Sequence, residues 1–363
     1  MLLAVTVPPE MLALVESAGL AAVPYGPDWQ AQLRDEDFVR MLQNPISAIS
    51  EAIEYVLRTS ADKNTTLMSL TDGADLLLAG ITEQSLAANV AEYAGIPLAA
   101  LHFFPPQILE LKSPHGGAPM EAERAQRRAL GLPEATGPVP RSLEIQAYDE
   151  LCFPGLAAEW AQQECRRPFV GALTLELPTD DDDEVLSWIA AGTPPIYFGF
   201  GSTPIASPAD TVAVISTACT QLGERALICM GPNDCTQIPH PDHVKVVEAV
   251  NHAAIFAECR AVVHHGGAGT TASGLRAGIP ALILWNGLDQ PLWAAAIEEL
   301  KVGFGRRFSE TTQESFVIGL RSILTPQYTA RARDVAGQMT KPAESVASAA
   351  DLLEDTARRG RER

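Results

Sequence analysis

The sequence predicts an α/β protein built from two doubly wound halves, and three observations carry this prediction. Short apolar runs alternate with helical patterns along most of the 363 residues. An acidic, proline-containing stretch separates the two alternating series, and a glycine-rich turn follows one apolar run of the second series. Strands that alternate with helices form parallel sheets, because each parallel pair needs a crossover connection.

The first series predicts strands separated by helices. Strands are expected at 2–7, 21–24, 75–79 and 97–103, and helices at 10–18, 46–58 and 83–93. Residues 105–145 are rich in Pro, Gly and polar residues, which predicts loops and short helices. A helix at 151–163 is expected to lead out of this half.

The stretch 170–184 is predicted to be a linker. It holds Pro178 and a run of acidic residues at 180–184. The run lacks the ligand spacing of a calcium loop, so a solvated linker that feeds a helix at 184–191 is favoured over a metal site. The second series predicts strands at 195–200, 225–229, 244–247, 261–264, 279–284 and 302–306, a helix at 210–222 and a terminal helix at 343–358.

Composition excludes several classes of protein. Hydrophobic residues make up 47% and charged residues 20%, as in a water-soluble globular protein. The net charge of −19 argues against sequence-independent nucleic-acid binding, which needs Lys and Arg against phosphates. The six cysteines show no CxxC pair, which indicates reduced thiols and no zinc knuckle. The start does not resemble a signal peptide, and no run reaches the ~20 apolar residues of a membrane span. We therefore expect a cytoplasmic protein, with peripheral contact at the inner face of a membrane left open.

The stretch 261–277 predicts an anion site. An apolar run ends in His264 and His265, and a turn with glycines at 266, 267 and 269 leads into a helix expected from Thr270. Glycines allow close backbone approach, and a helix N-terminus adds about half a positive charge. The hydroxyls of Thr270 and Thr271 are expected to cap the helix or bind a phosphate oxygen.

A second polar turn follows the next apolar run. Asp289 and Gln290 place a carboxylate beside a carboxamide, which suits several hydroxyls at once, as on a sugar ring. A helix cap before Pro291 is an alternative that is compatible with this role. Trp285 and Asn286 line the same turn. An anion site beside a group that binds hydroxyls points to a nucleotide sugar.

Four separated motifs occur in a familiar order: FGFGSTP at 198–204, VNHAAIF at 250–256, HHGGAGTT at 264–271 and DQ at 289–290. Together they resemble the donor-binding signature of family 1 glycosyltransferases of the GT-B fold. Similar members include bacterial antibiotic and glycolipid enzymes, sterol glucosyltransferases and mycobacterial glycopeptidolipid enzymes. The resemblance extends from Met1 to about Leu353.

The resemblance implies two Rossmann-like domains facing a cleft. An acceptor domain at 1–169 precedes the linker at 170–184 and a nucleotide-sugar domain at 185–342, and a helix at 343–363 crosses back to the first domain. In this family the matching histidine, His264, donates to a donor phosphate, and Asp289 and Gln290 bind the sugar. The implied donor-binding residues are Gly201, Ser202, Thr203, Val250, Asn251, His264, Gly266, Gly267, Ala268, Gly269, Thr270, Asp289 and Gln290.

Some roles stay open on the sequence. Val250 and Asn251 match the stretch that holds the nucleobase, but this chain has no Trp there to stack on uracil, so UDP and dTDP sugars are both candidates. His252 is either a ligand contact or a plain helix N-terminal residue. His265 is as consistent with a structural role as with a ligand role.

The predicted acceptor-binding residues are His102, Phe103 and Trp285. His102 and Phe103 end a strand of the first half, and open α/β sheets bind ligands beyond the carboxyl ends of their strands. Packing is an equally good explanation of this aromatic corner. The acceptor is expected to be hydrophobic and to carry a hydroxyl. No DxD-type pair lies near the site, so neither a metal nor a cofactor is expected.

The catalytic base has no counterpart in this sequence. In the family it is an Asp or His just after the first strand, whereas this chain opens at what resembles the second strand. Either about 25–40 residues, the size of one βα unit, precede Met1, or the chain is catalytically impaired; we favour the first. The resemblance predicts inverting transfer of a hexose or deoxyhexose to a hydroxyl. The alternatives are a nucleotide-sugar 2-epimerase and a non-catalytic protein that binds the donor.

Overall fold

The structure is a computed structural model that describes residues 3–32, 35, 38, 49–105, 117–134, 142–161, 166–201, 205, 207–235 and 238–362. The chain divides into two compact units. The N-terminal unit comprises Met1–Ile145, Gln163–Pro168 and Ala349–Arg363, and the C-terminal unit comprises Gln146–Gln162 and Phe169–Ser348. Within the described part of the chain, no helix is both long and apolar enough to cross a membrane.

The N-terminal unit alternates strands and helices, which confirms the predicted α/β class. In chain order its elements are β1 (Val5–Val7), α1 (Leu12–Ser17), β2 (Ala22–Pro24), α2 (Trp29–Gln32), α3 (Ile49–Leu70), β3 (Leu77–Gly80), α4 (Gln84–Ala94), β4 (Leu98–His102), α5 (Gly117–Leu130) and β5 (Leu143–Gln146). Gly95 ends α4 at a φ of 67°, a left-handed conformation that glycine adopts without steric cost.

Two separate sheets form this unit. β1 pairs in parallel with β2, and β3, β4 and β5 form a second sheet in that order, with β3 parallel to β4. Among the described strands, β1 and β3 each have a partner on one edge only. A cavity of about 630 Å³ lies between them, lined by Thr6 and Pro8 on one side and by Leu78 and Gly80 on the other.

The C-terminal unit contains the larger sheet. Its elements are α6 (Leu156–Trp160), α7 (Asp182–Ala190), β6 (Ile196–Gly199), α8 (Pro208–Leu222), β7 (Ala226–Cys229), β8 (Val244–Val247), α9 (His252–Ile255), β9 (Ala261–His264), α10 (Ala268–Ala277), β10 (Ala281–Trp285), α11 (Gln290–Glu299), β11 (Gly303–Arg307), α12 (Gln313–Ile323), α13 (Pro326–Ala336) and α14 (Pro342–Arg361). The residues of α14 from Ala349 onward belong to the N-terminal unit.

All six strands of this sheet are parallel, in the order β11-β10-β9-β6-β7-β8. Every residue of β6 and β9 is buried, which explains why both read as unbroken apolar runs. One face of the sheet packs against α8 and α12 through residues such as Phe198, Val263, Ile215 and Leu320. This core fixes the strand ends that carry the candidate site.

Three sequence predictions about elements were wrong. Residues 105–145 were expected to hold only loops and short helices, but they include the 14-residue helix α5 and most of β5. Of the helix expected at 151–163, the described residues 151–161 form only α6 and a preceding 3₁₀ turn, because Gly155 breaks it at a φ of 95°. The acidic stretch is not wholly solvated: Asp182 is buried and accepts from the backbone N–H groups of Thr179 and Asn251, each at 2.8 Å.

Candidate functional site

The candidate site lies at the carboxyl edge of the C-terminal sheet. The register places Gly199 of β6, His264 of β9 and Ile283 of β10 in one row. β6 and β9 end at this row and β10 continues to Trp285, and a turn that contains glycine follows each strand. In open parallel sheets this edge is where ligands bind, because helix N-termini and loops converge on it.

His264 presents a buried N–H group at this edge. Its Nδ1 accepts a hydrogen bond from the Gly266 N–H at 3.1 Å, so the ring proton lies on Nε2. The side chain is fully buried, and Nε2 has no partner among the described residues. Burial, and to a lesser degree the neighbouring His265 and His252, hold the pKa of His264 well below its usual range. The ring is therefore neutral, with an unpaired donor that needs an acceptor.

The turn after His264 requires glycine. Gly266 has a φ of 96°, and a Cβ there would lie 2.8 Å from Ile283 Cγ2. Gly267 is the N-cap residue of α10, and no side chain caps this helix. Gly269 is exposed, and a Cβ on it would meet nothing within 4 Å, so open space lies over the first turn. The N–H groups of that turn have no acceptor within the helix, which makes it suited to an anion.

The two threonines behave differently from each other. The helix begins at Ala268, two residues before the expected Thr270. The Thr271 hydroxyl donates to the Gly267 carbonyl at 2.9 Å and the residue is buried, so the expected cap or phosphate contact of Thr271 is wrong. Thr270 is half-buried in the first turn and stays a predicted contact.

The side chains of Asp289 and Gln290 differ in the hydrogen bonds that they make within their turn. Asp289 is the N-cap residue of α11, but its side chain makes no capping hydrogen bond. Burial raises the pKa of this carboxyl group. Gln290 Oε1 accepts from the Asn286 N–H at 2.8 Å and the Gly287 N–H at 3.4 Å, which closes the turn. The Asp289 carboxylate is thus the available acceptor, and the Gln290 amide group is the available donor.

The segment predicted to hold the nucleobase is fixed by internal hydrogen bonds. Asn251 donates its backbone N–H to Asp182, and its side chain caps α9 by accepting from the Ala253 N–H at 3.0 Å. His252 begins α9, with its Nε2 3.1 Å from the hydroxyl of Tyr197 and its ring stacked on Phe256. Burial lowers the pKa of His252 to about 4. His252 therefore has a structural role as a helix N-terminal residue.

The predicted acceptor-binding residues belong to two units. In the N-terminal unit His102 is fully buried, with Nε2 3.7 Å from Glu144 Oε2, whereas Phe103 is 40% exposed. In the C-terminal unit Trp285 ends β10, and the Arg307 guanidinium lies 5.1 Å from the centre of its ring. The acceptor role of His102 stays a prediction, and in this structure its ring is closed to solvent. Ser202 and Thr203, predicted for donor binding, lie outside the described residues, whereas Gly201 turns at a φ of 61°.

The comparisons with known proteins identify the family and the fold. The family described as "Erythromycin biosynthesis protein CIII-like, C-terminal domain" matches residues 210–352. An uncharacterised glycosyltransferase of Mycobacterium leprae (strain TN) is 58% identical, over 98% of this chain and 90% of its own length. The vancomycin aglycone glucosyltransferase of Amycolatopsis orientalis is 30% identical, over 97% of this chain and 90% of its own.

This chain belongs to the family 1 glycosyltransferases of the GT-B fold. Solved structures of glycosyltransferases show the same fold. The calicheamicin glycosyltransferase CalG4 superposes with a TM-score of 0.72 at 17% identity, over 98% of this chain and 90% of its own. The spinosyn rhamnosyltransferase SpnG complexed with thymidine diphosphate superposes with a TM-score of 0.65 at 19% identity, over 95% and 91%. The predicted family, fold class and transferase activity are confirmed.

Two contributors to the candidate site escaped the sequence prediction. Gly231, in the turn after β7, lies so close to the Gly201 carbonyl oxygen that a Cβ would approach it to 2.4 Å. A glycine after an apolar run is the same signal that singled out Gly266, so it was available in the sequence. Asp182, which holds Asn251, is distant in sequence and indistinguishable from its acidic neighbours, so no sequence signal pointed to it.

Proposed function

We propose that this glycosyltransferase transfers a hexose or deoxyhexose from a UDP or dTDP sugar to a hydroxyl group of a hydrophobic acceptor, with inversion at the anomeric carbon. The observation that carries the proposal is the buried Nε2–H of His264 beside the open first turn of α10. A diphosphate oxygen is an acceptor that matches both groups. A ligand reaches Nε2 only when the surrounding turns move, because that atom is closed to solvent.

The proposed catalytic role of these groups follows from the charge that develops on the leaving group. As the anomeric carbon–oxygen bond breaks, negative charge grows on the leaving diphosphate. A neutral imidazole N–H and the positive end of α10 stabilise that charge more in the transition state than in the ground state. We expect no metal requirement for this step, since these groups act in its place.

The sugar is held by the turn at 286–290 in this proposal. The Asp289 carboxylate accepts from sugar hydroxyls, and the Gln290 amide group donates to them. Support for a thymidine diphosphate ligand comes from the complex of the spinosyn enzyme, and support for an aglycone acceptor comes from the name of the vancomycin enzyme. The catalytic base is not assigned among the described residues and stays a prediction.

The test is a transfer and hydrolysis assay with UDP-glucose, dTDP-glucose and dTDP-rhamnose, with and without EDTA. A hydrophobic aglycone that carries a free hydroxyl serves as the acceptor. Release of UDP or dTDP that rises with acceptor and persists in EDTA supports the proposal. Release that EDTA abolishes contradicts the metal-independent step, and conversion of the nucleotide sugar alone into an epimer contradicts transfer.

A further inference from the structure

His265 is a half-buried ring at the site for which the proposed reaction has no use. The imidazole lies between the turn after β6 and the turn after β9. A Cβ on Gly201 would lie 2.5 Å from His265 Cε1, and a Cβ on Gly267 would lie 2.6 Å from His265 Nε2. Real Cβ atoms do not approach heavy atoms this closely, so the ring occupies the space that these two glycines leave free.

The contact continues on the far side of the β6 turn. Gly231, after β7, is packed against the Gly201 carbonyl oxygen. Because β9, β6 and β7 are neighbours in the sheet, the turns after them lie in a row. The β6 turn is thus held between the Gly231 backbone and the His265 ring.

The ring is held by packing and carries no charge. Its Nδ1 atom is buried and has no hydrogen-bond partner among the described residues. Burial lowers the pKa of His265, so the ring is neutral at pH 7. A neutral spacer adds no charge repulsion beside the buried His264.

We infer that His265 is a positioning residue that sets the spacing between the turn at 199–201 and the turn at 266–267, so that both face one diphosphate. The spacing itself is read from the contacts above. Its use for a diphosphate rests on the proposed function, and the two parts are tested separately.

The spacing is tested by a double-mutant cycle on stability. Gly267 has a φ of −65° and a ψ of 142°, which alanine adopts without strain. Ala is a poorer N-cap residue than Gly, but that cost is the same in both backgrounds, so the difference between the backgrounds measures the clash with His265. We expect G267A to lower Tm by about 2–4 °C more in the wild-type background than in the H265A background. The matched control is G269A, which meets nothing within 4 Å and is expected to leave Tm unchanged or raised in both backgrounds.

Equal Tm losses for G267A in the two backgrounds would overturn the spacing, because residues in contact are expected to be non-additive. This outcome does not depend on any enzymatic activity. A loss of the folded state in G267A alone, with folding restored in the double variant, supports the spacing.

The role of this spacing in diphosphate binding is tested by measuring the affinity for nucleotides and nucleosides. We expect H265A to weaken binding of UDP or dTDP about tenfold while binding of uridine or thymidine is unchanged, because only the diphosphate spans both turns. H265A/G267A is expected to recover part of the loss, since the new methyl group refills part of the vacated space. A merely structural role would move nucleoside and diphosphate binding together, and that result would overturn the positioning role.

Failure of the proposed function has its own signature. If the wild-type chain binds no nucleoside diphosphate, the proposed function fails, and the stability cycle alone decides whether His265 spaces the turns. If the wild-type chain binds and H265A binds equally well, the positioning role fails while the proposed function stands.

Discussion

His264 and Gly266 form a closed hydrogen-bonded turn, in which the Nδ1 atom of the ring accepts the backbone N–H two residues later at 3.1 Å. This bond fixes the tautomer, so the Nε2 atom carries the proton. The same contact orders the start of the glycine turn and leaves one buried donor for a ligand. In the proposed site, the structural role and the binding role of this residue therefore depend on different nitrogen atoms.

The two nitrogens of His264 are expected to be separable by substitution. In H264N the amide reaches the position of Nδ1 only, whereas in H264Q it reaches that of Nε2. We expect H264N to lower kcat/KM by about 10- to 100-fold, as for a lost hydrogen bond of about 1.5–3 kcal/mol to a charged group. H264Q is expected to retain more activity. Steady-state kinetics with a nucleotide sugar compare the kcat/KM values of the two variants. Greater activity in H264N than in H264Q would refute the ligand role of Nε2.

Asp289 is expected to recognise the sugar but not the nucleotide. Its carboxylate is not used as a helix cap, so D289N removes a ligand acceptor without removing a cap. We expect KM for the nucleotide sugar to rise about tenfold, equivalent to about 1.4 kcal/mol, while Kd for free UDP or dTDP is unchanged. The control is D210N, at an exposed residue of the first turn of α8. A parallel loss of free nucleotide binding in D289N would show that the residue does not act on the sugar.

His252 is expected to contribute to acid sensitivity. Its pKa is about 4 in the folded chain, below the value of about 6.5 of an unfolded histidine. The unfolded state then binds more protons between these values, so stability falls as the pH drops from about 6.5 to about 4, by up to about 3 kcal/mol. H252Q, which keeps a polar group near Tyr197, is expected to lose less stability over this range. Chemical denaturation at several pH values, with H240Q at an exposed site as control, measures the difference; identical pH profiles would refute it.

Arg276 is expected to stabilise the C-terminal unit. Its guanidinium donates to the carbonyls of Ala172 and Thr340 at 2.6 and 3.0 Å, and to the hydroxyls of Thr174 and Ser345 at 2.9 and 3.2 Å. R276A leaves partly buried carbonyls unpaired, and we expect it to lower the free energy of unfolding by about 2–4 kcal/mol. Thermal unfolding checks this against R321A, at an exposed position of α12. An equal effect of the two variants would contradict the role of Arg276.

The strand ends of the C-terminal unit were predictable from sequence because their signals are local. Buried parallel strands read as apolar runs, and glycines mark the turns that follow them, as at His264–Gly267. The helix α5 and the strand β5 were missed because Pro and Gly around them dominate the composition of 105–145. Local composition does not report the packing that stabilises such elements.

The division of roles within the site was not predictable in the same way. The sequence does not show that Thr271 bonds to the Gly267 carbonyl, or that Gln290 closes its own turn. Nor does it show that His102 is fully buried, since burial depends on neighbours such as Glu144 that are distant in sequence. Residue type and spacing predicted which residues gather at the strand ends, and only the fold shows which of their atoms stay available.

The central claim is that the turn from His264 to Thr270 binds a diphosphate without a metal. Isothermal titration of UDP and dTDP into the wild-type chain and into H264N, in the presence of EDTA, tests it most directly. We predict saturable binding of at least one diphosphate to the wild-type chain, weakened at least tenfold, or about 1.4 kcal/mol, in H264N. Absence of binding to the wild-type chain, or equal binding to both chains, would contradict the claim.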